Sequence, residues 1–342
     1  RWDTGEGEAW TLTDQGGNFS GLVGSGTLRI APNPAGGSID ISTGKAFTGS
    51  FSAPSGSSVV NPLTTLVVAA GGDSSKVASA LGLDPSINLT TFDPIAAASS
   101  SGASGAAALK IQAASVQVAN IMAIATSVSA AAQGTSVSGN AVAASVATSI
   151  VQAAVAAGAG GLSLADASVI GSAVQSAATA VVTNSSGLAA AKAQINAVSQ
   201  ATAAVNNVIT TAAQNSNAST SDIFNKIAGA QALAQDTLAK QATNAVTGGG
   251  SAAITITAAS AAQDASAMLA TLTRPPLITS ASSASTPENG ATSTTIYTVT
   301  ASDPDANTTL TYSIAGGTDA ALFKINSATG AVSFKLSPDF EA

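Results

Sequence analysis

Five carboxylates in the C-terminal part of the chain could together bind a divalent cation. Calcium is held by about six to eight hard oxygen ligands, so a site needs several acids in one place. Acids are scarce in this sequence, and a group of five is therefore notable. The candidate ligands are Glu288, Asp303, Asp305, Asp339 and Glu341. We expect Ca²⁺ as the cofactor.

The residues that most catalytic sites require are missing. The sequence has no histidine and no cysteine, which excludes Cys and His nucleophiles, His general bases, thiolate zinc sites and disulfides. Ser42 and Lys45 match the spacing of a serine–lysine pair, but that motif acts in the first turn of a helix. Here the pattern predicts a turn after a strand. We expect no enzyme.

Composition also limits the partners. Charged residues make up 8% of the chain, and the net charge is −7 with only 11 Lys+Arg. Phosphate binding needs clustered cations, so we expect no nucleic-acid partner. The most apolar stretch, 141–158, is interrupted by Ser, Thr and Gln. We therefore expect no transmembrane segment.

The composition changes three times along the chain. Residues 1–60 are rich in Gly and alternate apolar with polar residues, which predicts part of a β-sandwich. Residues 61–272 are Ala-rich and nearly uncharged, which predicts a helical bundle. Residues 273–280 contain Pro275-Pro276 and are predicted as a linker. Residues 281–342 alternate again and are predicted as β structure.

One helical segment has a clear period of seven residues. Its apolar positions are Leu188, Ile195, Thr202 and Ile209, with Ala191, Val198, Val205 and Ala212 at the second position of each heptad. Such a pattern predicts a helix with one buried face that is half made of small residues. We expect uncharged Ser, Thr, Asn and Gln side chains to cover the surface of the bundle.

Helix ends are predicted from capping residues. Gly134, Asn184 and the Asn215–Thr220 segment interrupt the Ala-rich runs, and Gly and Asn are typical of helix termini. Ser163 with Asp166, and Ser219 with Asp222, resemble capping boxes with a shorter acid.

Six short elements follow one another in the C-terminal segment. They are Pro287-Glu288-Asn289-Gly290, Asp303-Pro304-Asp305, Leu310 to Ile314 with Gly316-Gly317, Phe323 to Asn326, Thr329-Gly330, and Asp339-Phe340-Glu341. This order resembles the cadherin repeat, in its bacterial cadherin-like form. The resemblance implies a partial cadherin-like β-sandwich over residues 281–342 that lacks its last strands.

The resemblance also implies roles for the acids. In the family pattern, Glu288, Asp339 and Glu341 lie at one end of the sandwich and bind calcium with the following linker. Asp303 and Asp305 act with the linker from the preceding domain. The preceding linker in this sequence has no acid, so we expect incomplete sites. A D-P-D sequence is also a good β-turn, which leaves a structural role open for Asp303 and Asp305.

A second resemblance lies at the start of the chain. Residues 1–6 (RWDTGE) resemble the end of an EF-hand-like calcium loop, in which Asp3 and Glu6 would be the last ligands. A solvated acidic turn is the alternative. Segments further along the first hundred residues resemble a sandwich-plus-helical module of giant, cadherin-containing surface proteins of proteobacteria. This resemblance implies a location at the cell surface and no particular mechanism.

Together these features predict a multidomain α+β fold, with a β-rich N-terminal module, an Ala-rich helical bundle and a partial cadherin-like β-sandwich. The resemblance implies a repeat protein that is a structural segment of a secreted, calcium-dependent bacterial surface adhesin or a self-assembling extracellular filament. A module that binds a glycan or a host receptor is the alternative.

The expected partners are copies of the same chain or neighbouring modules. A sandwich without its edge strands can accept a strand from another molecule. Copies joined head to tail in this way propagate into a filament when the contact does not close. We therefore expect head-to-tail self-association, or contacts with neighbouring modules of the same chain.

Overall fold

The computed structural model of the protein describes residues 9–14, 17–22, 24–98, 102–158, 161–248, 253–281, 283–287, 289–305 and 308–338. About 49% of the chain is helical, and the strands form a few small sheets. The described residues divide into two units. The first spans Phe19–Leu272 with residues before Asp14, and the second spans Thr273–Ala342 with Asp14–Asn18. The finer domain boundaries given above stay predictions.

Helices dominate the first unit. In chain order they are α1 (Pro62–Ala69), α2 (Ser74–Ala80), α3 (Pro94–Ala97), α4 (Ala103–Gln133), α5 (Gly139–Ala157), α6 (Ala167–Val181), α7 (Ser185–Gln214), α8 (Thr220–Ala232), α9 (Ala239–Thr247) and α10 (Ala261–Leu269). A π-helical segment, Leu233–Leu238, joins α8 to α9.

Four short strands precede the helices: β1 (Leu28–Ile30), β2 (Ile39–Asp40), β3 (Lys45–Ala46) and β4 (Phe51–Ala53). Strand β1 pairs antiparallel with β4, and β2 pairs antiparallel with β3. The described part of segment 1–60 therefore forms two separate two-stranded sheets, where we expected part of a sandwich.

Contacts with α1 explain this difference. The amide of Ser52 donates to Thr65 Oγ1 at 2.9 Å, and Thr64 Oγ1 donates to the carbonyl oxygen of Ser52 at 2.7 Å. Phe51 packs against the helical core. Strand β4 thus packs against the helices and forms hydrogen bonds with α1. A second sheet is therefore not needed to cover this strand.

Helices α4 and α7 lie at the centre of the bundle. Helix α4 packs against α6, α7 and α9, and α7 also packs against α6 and α8. The predicted heptad face is confirmed. Leu188 and Ile195 are half-buried against the core, and the other six residues of the face are buried. The buried members are Ala191, Val198, Thr202, Val205, Ile209 and Ala212.

Most of the predicted helix ends are also confirmed. Gly134, with a φ of 80°, ends α4, Asn184 caps α7 and Ser219 caps α8. The interpretation of Ser163 as the cap of α6 is wrong. Asp166 takes that position and accepts the amide two residues ahead, because its own carboxylate is a good capping group.

A buried polar network crosses the bundle. Asn206 Nδ2 donates to the carbonyl oxygen of Leu164 at 2.7 Å, and Asn120 Nδ2 donates to Asn206 Oδ1 at 3.1 Å. Gln117 Nε2 donates to the carbonyl oxygen of Asn206 at 2.8 Å. We expected such side chains on the surface, but these three amides are buried. Their burial is tolerated because their donors and acceptors are paired.

Two helices are long and apolar enough to cross a membrane by length and composition alone. They are Ser104–Gln133 within α4, whose most apolar window is 78% buried inside the protein, and α5, whose window is 33% buried. A core helix of a soluble protein passes the same test, so these helices are weak evidence for a membrane span.

The second unit consists of short strands and a 3-10 helix, Ala320–Leu322. The strands are β5 (Leu277–Ile278), β6 (Tyr297–Thr298), β7 (Ala301–Ser302), β8 (Phe323–Ile325) and β9 (Ala331–Phe334). Strand β5 pairs with β7, and β9 lies between β6 and β8. Residues 273–280, which we predicted as a linker, therefore include the strand β5. The two prolines only precede this strand, a position that proline tolerates.

Candidate functional site

The hairpin of β8 and β9 explains the Thr-Gly element of the C-terminal segment. Asn326 Oδ1 accepts the amides of Ala328 and Thr329 at 3.0 and 3.1 Å, which closes the turn. Gly330 follows with a φ of 70°, and a Cβ at this residue would overlap the carbonyl oxygen of Val299. Only glycine fits here, because any side chain would push β6 and its extension away from β9.

The Pro-Glu-Asn element lies against the chain just before the Asp-Phe-Glu element. The amide of Asn289 donates to the carbonyl oxygen of Pro338 at 2.7 Å, and Ser337 Oγ donates to the carbonyl oxygen of Gly290 at 3.1 Å. Asn289 has a φ of 57°, a left-handed conformation that asparagine tolerates better than most residues. Two segments far apart in sequence are thereby held together.

Three predicted calcium ligands lie within three residues of this contact in the sequence. Glu288 precedes Asn289, and Asp339 follows Pro338, with Glu341 two residues later. All three lie outside the described residues, as do Asp3 and Glu6 at the start of the chain. Their assignment as ligands stays a prediction.

Asp303 and Asp305 are the predicted ligands that the structure describes. Asp303 Oδ1 accepts the amide of Asp305 at 2.8 Å, which makes a local bend. Asp305 is paired with a cation of the chain itself: Arg274 Nε lies 2.7 Å from Asp305 Oδ1, and the Arg274 amide donates to Asp305 Oδ2 at 2.6 Å. Arg274 is a residue that sequence reasoning missed.

The described residues contain no group of three or more Asp, Glu, His or Cys side chains that could hold a metal ion. Asp303 and Asp305 supply only two acids, and both carboxylate oxygens of Asp305 already accept hydrogen bonds from Arg274. The described part of this end of the unit therefore does not fit a calcium ion, which needs several free carboxylate oxygens.

A second polar feature lies beside the π-helical segment of the first unit. Asp236 Oδ1 is 2.5 Å from Lys240 Nζ, and Asp236 Oδ2 is 3.7 Å from Lys45 Nζ. The hydrogen bond from Lys240, aided by the charges of Lys240 and Lys45, holds the pKa of Asp236 below its usual value of 3.8 against the opposing effect of burial. The i,i+4 spacing of Asp236 and Lys240 is a signal that could have been noticed in the sequence.

This ion pair borders a surface depression of about 370 Å³. Most of its lining residues have polar side chains, and none is aromatic. The lining residues are Ser127, Gln235, Asp236, Ala239, Lys240, Thr243 and Asn244.

The serine–lysine spacing has a structural explanation. Residues 41–44 form the turn between β2 and β3, as the sequence predicted. Ser42 Oγ donates to Asp40 Oδ1 at 2.6 Å, Lys45 is in the ion pair with Asp236, and Gln231 Nε2 donates to Asp40 Oδ2 at 2.6 Å. These contacts attach the β2–β3 hairpin to the helices.

The family model for the cadherin domain matches residues 282–341. No curated protein and no solved structure matches the chain. Residues 282–341 are thus a cadherin-like domain. Cadherin domains typically bind Ca²⁺, are generally extracellular and mediate homophilic interactions. The presence of this domain indicates an adhesion-related or calcium-dependent extracellular role.

Proposed function

We propose that the chain is a structural segment of a secreted, calcium-dependent bacterial surface adhesin or of a self-assembling extracellular filament, without a catalytic role. The observation that carries the proposal is the cadherin-like domain at residues 282–341. In such a segment, calcium stiffens the end of a module, because carboxylates from two chain segments share one ion in place of a flexible joint.

The calcium of this proposal is bound near Glu288, Asp339 and Glu341. The hydrogen bond between Asn289 and Pro338 supports this assignment, since it joins the immediate neighbours of Glu288 and Asp339. Carboxylates that are held close together repel one another in the absence of a cation. A bound calcium removes this repulsion and stabilises the folded unit.

The test is thermal unfolding of the full chain in chelator and in millimolar calcium. A ligand that binds only the folded state stabilises it by RT ln(1 + [L]/Kd), about 2.7 kcal/mol when calcium exceeds Kd a hundredfold. We expect calcium to raise the Tm of the second unit, and the triple variant E288Q/D339N/E341Q to lose this increase. D319N, which removes an exposed acid of the same unit, is the matched control. An unchanged Tm in the wild-type chain contradicts the proposal.

Self-association is the second part of the proposal. Among the residues that the structure describes, strand β5 pairs only with β7, and its residues Leu277 and Ile278 are 51% and 59% exposed. An apolar strand with a free edge can pair with a strand of another copy. We assign this edge to head-to-tail contact between copies of the chain.

A module that binds a surface glycan is the alternative. The depression beside Asp236 is its best candidate site in the described residues. Sugar rings usually pack on aromatic side chains, and its walls have none. The structural role is therefore better supported.

A further inference from the structure

Arg274 lies opposite Asp305 in the extension of the β5–β7 ladder. Leu277 pairs with Ser302 in an antiparallel register, and the same register carried three residues further brings Arg274 opposite Asp305. The ion pair therefore joins the segment that precedes β5 to the bend that follows β7.

Pro275 and Pro276 leave the two positions before β5 without a backbone donor. Proline has no N–H, so neither residue can donate to the opposite strand. Arg274 is the first residue before them that can donate. Its amide donates to Asp305 Oδ2 at 2.6 Å, its Nε donates to Asp305 Oδ1 at 2.7 Å, and its Nη2 donates to the carbonyl oxygen of Pro304 at 2.7 Å.

The environment of the pair strengthens it. Arg274 is only 7% exposed, and the side chain of Asp305 is 14% exposed. Charge-assisted hydrogen bonds are strong, and a guanidinium matches a carboxylate better than an ammonium does. Removing one partner of such a pair leaves an uncompensated buried charge.

The same contacts oppose a metal ion at this end of the domain. Both oxygens of the Asp305 carboxylate accept donors of Arg274, and Asp303 Oδ1 accepts the amide of Asp305. A calcium ion would have to displace the guanidinium or lie next to its positive charge. We propose that Arg274 takes the place of a divalent cation here, so that the start of the second unit is closed without calcium. This inference does not depend on calcium binding at Glu288, Asp339 and Glu341.

Hydrogen exchange of the full chain, followed by mass spectrometry, tests the proposal. The relevant peptides cover residues 273–281 and 297–305, which include β5 and β7. We expect R274M to speed exchange of both peptides roughly tenfold or more, because the pair is buried and its loss opens the sheet locally. R274K keeps the charge without the planar fork and should give an intermediate rate. K335M removes an exposed cation of the same unit and should leave both peptides unchanged.

Calcium supplies the second comparison. In the wild-type chain we expect the same exchange of these two peptides in chelator and in millimolar calcium, and D303N should not change that result. Slower exchange in calcium that D303N abolishes would overturn the proposal, because Asp303 would then be a calcium ligand. Wild-type exchange rates in both R274M and R274K would overturn it as well. A calcium effect confined to peptides that contain Glu288 or Asp339 bears on the proposed function and leaves this inference intact.

Discussion

Replacing Gly187 by alanine should destabilise the helical unit, although helix propensity alone predicts the opposite. Gly187 lies in the first turn of α7, where the helix begins against the C-terminal end of α4. A Cβ at this residue would overlap the carbonyl oxygen of Ala132. The same oxygen accepts a hydrogen bond of 3.1 Å from Asn184 Nδ2, the side chain that caps α7. The substitution therefore affects both helices.

Three contributions determine how much G187A changes the free energy of unfolding. Alanine is favoured over glycine by about 1 kcal/mol in a helix interior. Overpacking costs about 1–3 kcal/mol, and the obstacle here is backbone that cannot rotate away. Separating α4 from α7 also weakens the hydrogen bond from Asn184, which contributes about 1 kcal/mol. We expect a net destabilisation of about 2 kcal/mol, or a Tm lower by about 4–8 °C for a unit of this size.

Gly139 provides the matched control. It is the first residue of α5, and a Cβ there would meet only Ser50 Cβ at 3.7 Å, an ordinary contact. G139A should leave the stability unchanged or raise it by up to about 1 kcal/mol. Circular dichroism at the helical band during urea and thermal unfolding measures both variants. If G187A is as stable as the wild type, the carbonyl oxygen of Ala132 does not lie close to Gly187, and the prediction is refuted.

Two further predictions concern acid stability and assembly. Because the folded-state pKa of Asp236 is held below 3.8 by Lys240 and Lys45, its ion pair stabilises the protein above that pH and loses this effect as the pH falls through the folded-state pKa. The difference in urea midpoint between wild type and D236N should therefore be constant from about pH 7 to pH 5 and shrink below about pH 4; a difference that does not depend on pH would contradict the assignment. Light scattering in calcium should show assemblies that grow with concentration and that I278K reduces, because a lysine on an edge strand opposes strand pairing; a monodisperse monomer at all concentrations would rule out self-association.

Local interactions explain why the helices of the first unit could be predicted. The side-chain oxygens of Asn184 and Ser219 accept hydrogen bonds from the amides three residues ahead, so each capping residue and its partner lie within one turn. The heptad of α7 is equally local, because the period of the helix alone brings Val198 and Ile209 to one face. Strand alternation and the order of the C-terminal motifs likewise depend on near neighbours in the chain.

The candidate site could be predicted only in part. The order of the motifs predicts the cadherin-like domain. The D-P-D sequence predicts either calcium ligands or a turn at Asp303 and Asp305, and the structure has a bend there. The pairing of Asp305 with Arg274 could not be predicted, because it depends on the pairing of β5 with β7, which brings together two residues that are 31 positions apart in sequence. Two prolines that indicated a linker precede a strand instead.

The sequence by itself determined most of the predicted helix ends, which face of α7 is apolar and which family the last segment resembles. Tertiary structure alone decided which polar residues are buried and where backbones touch. Nothing in the sequence distinguishes Asn206 from an asparagine on the surface. It is buried because Asn120 of α4 donates a hydrogen bond to its side chain and the carbonyl oxygen of Leu164 accepts one from it. Gly187 resembles an ordinary helix-end glycine, yet it is required because the carbonyl of Ala132 lies where a Cβ would be. Both outcomes arise from groups more than 40 residues apart, and only the folded chain brings such groups into contact.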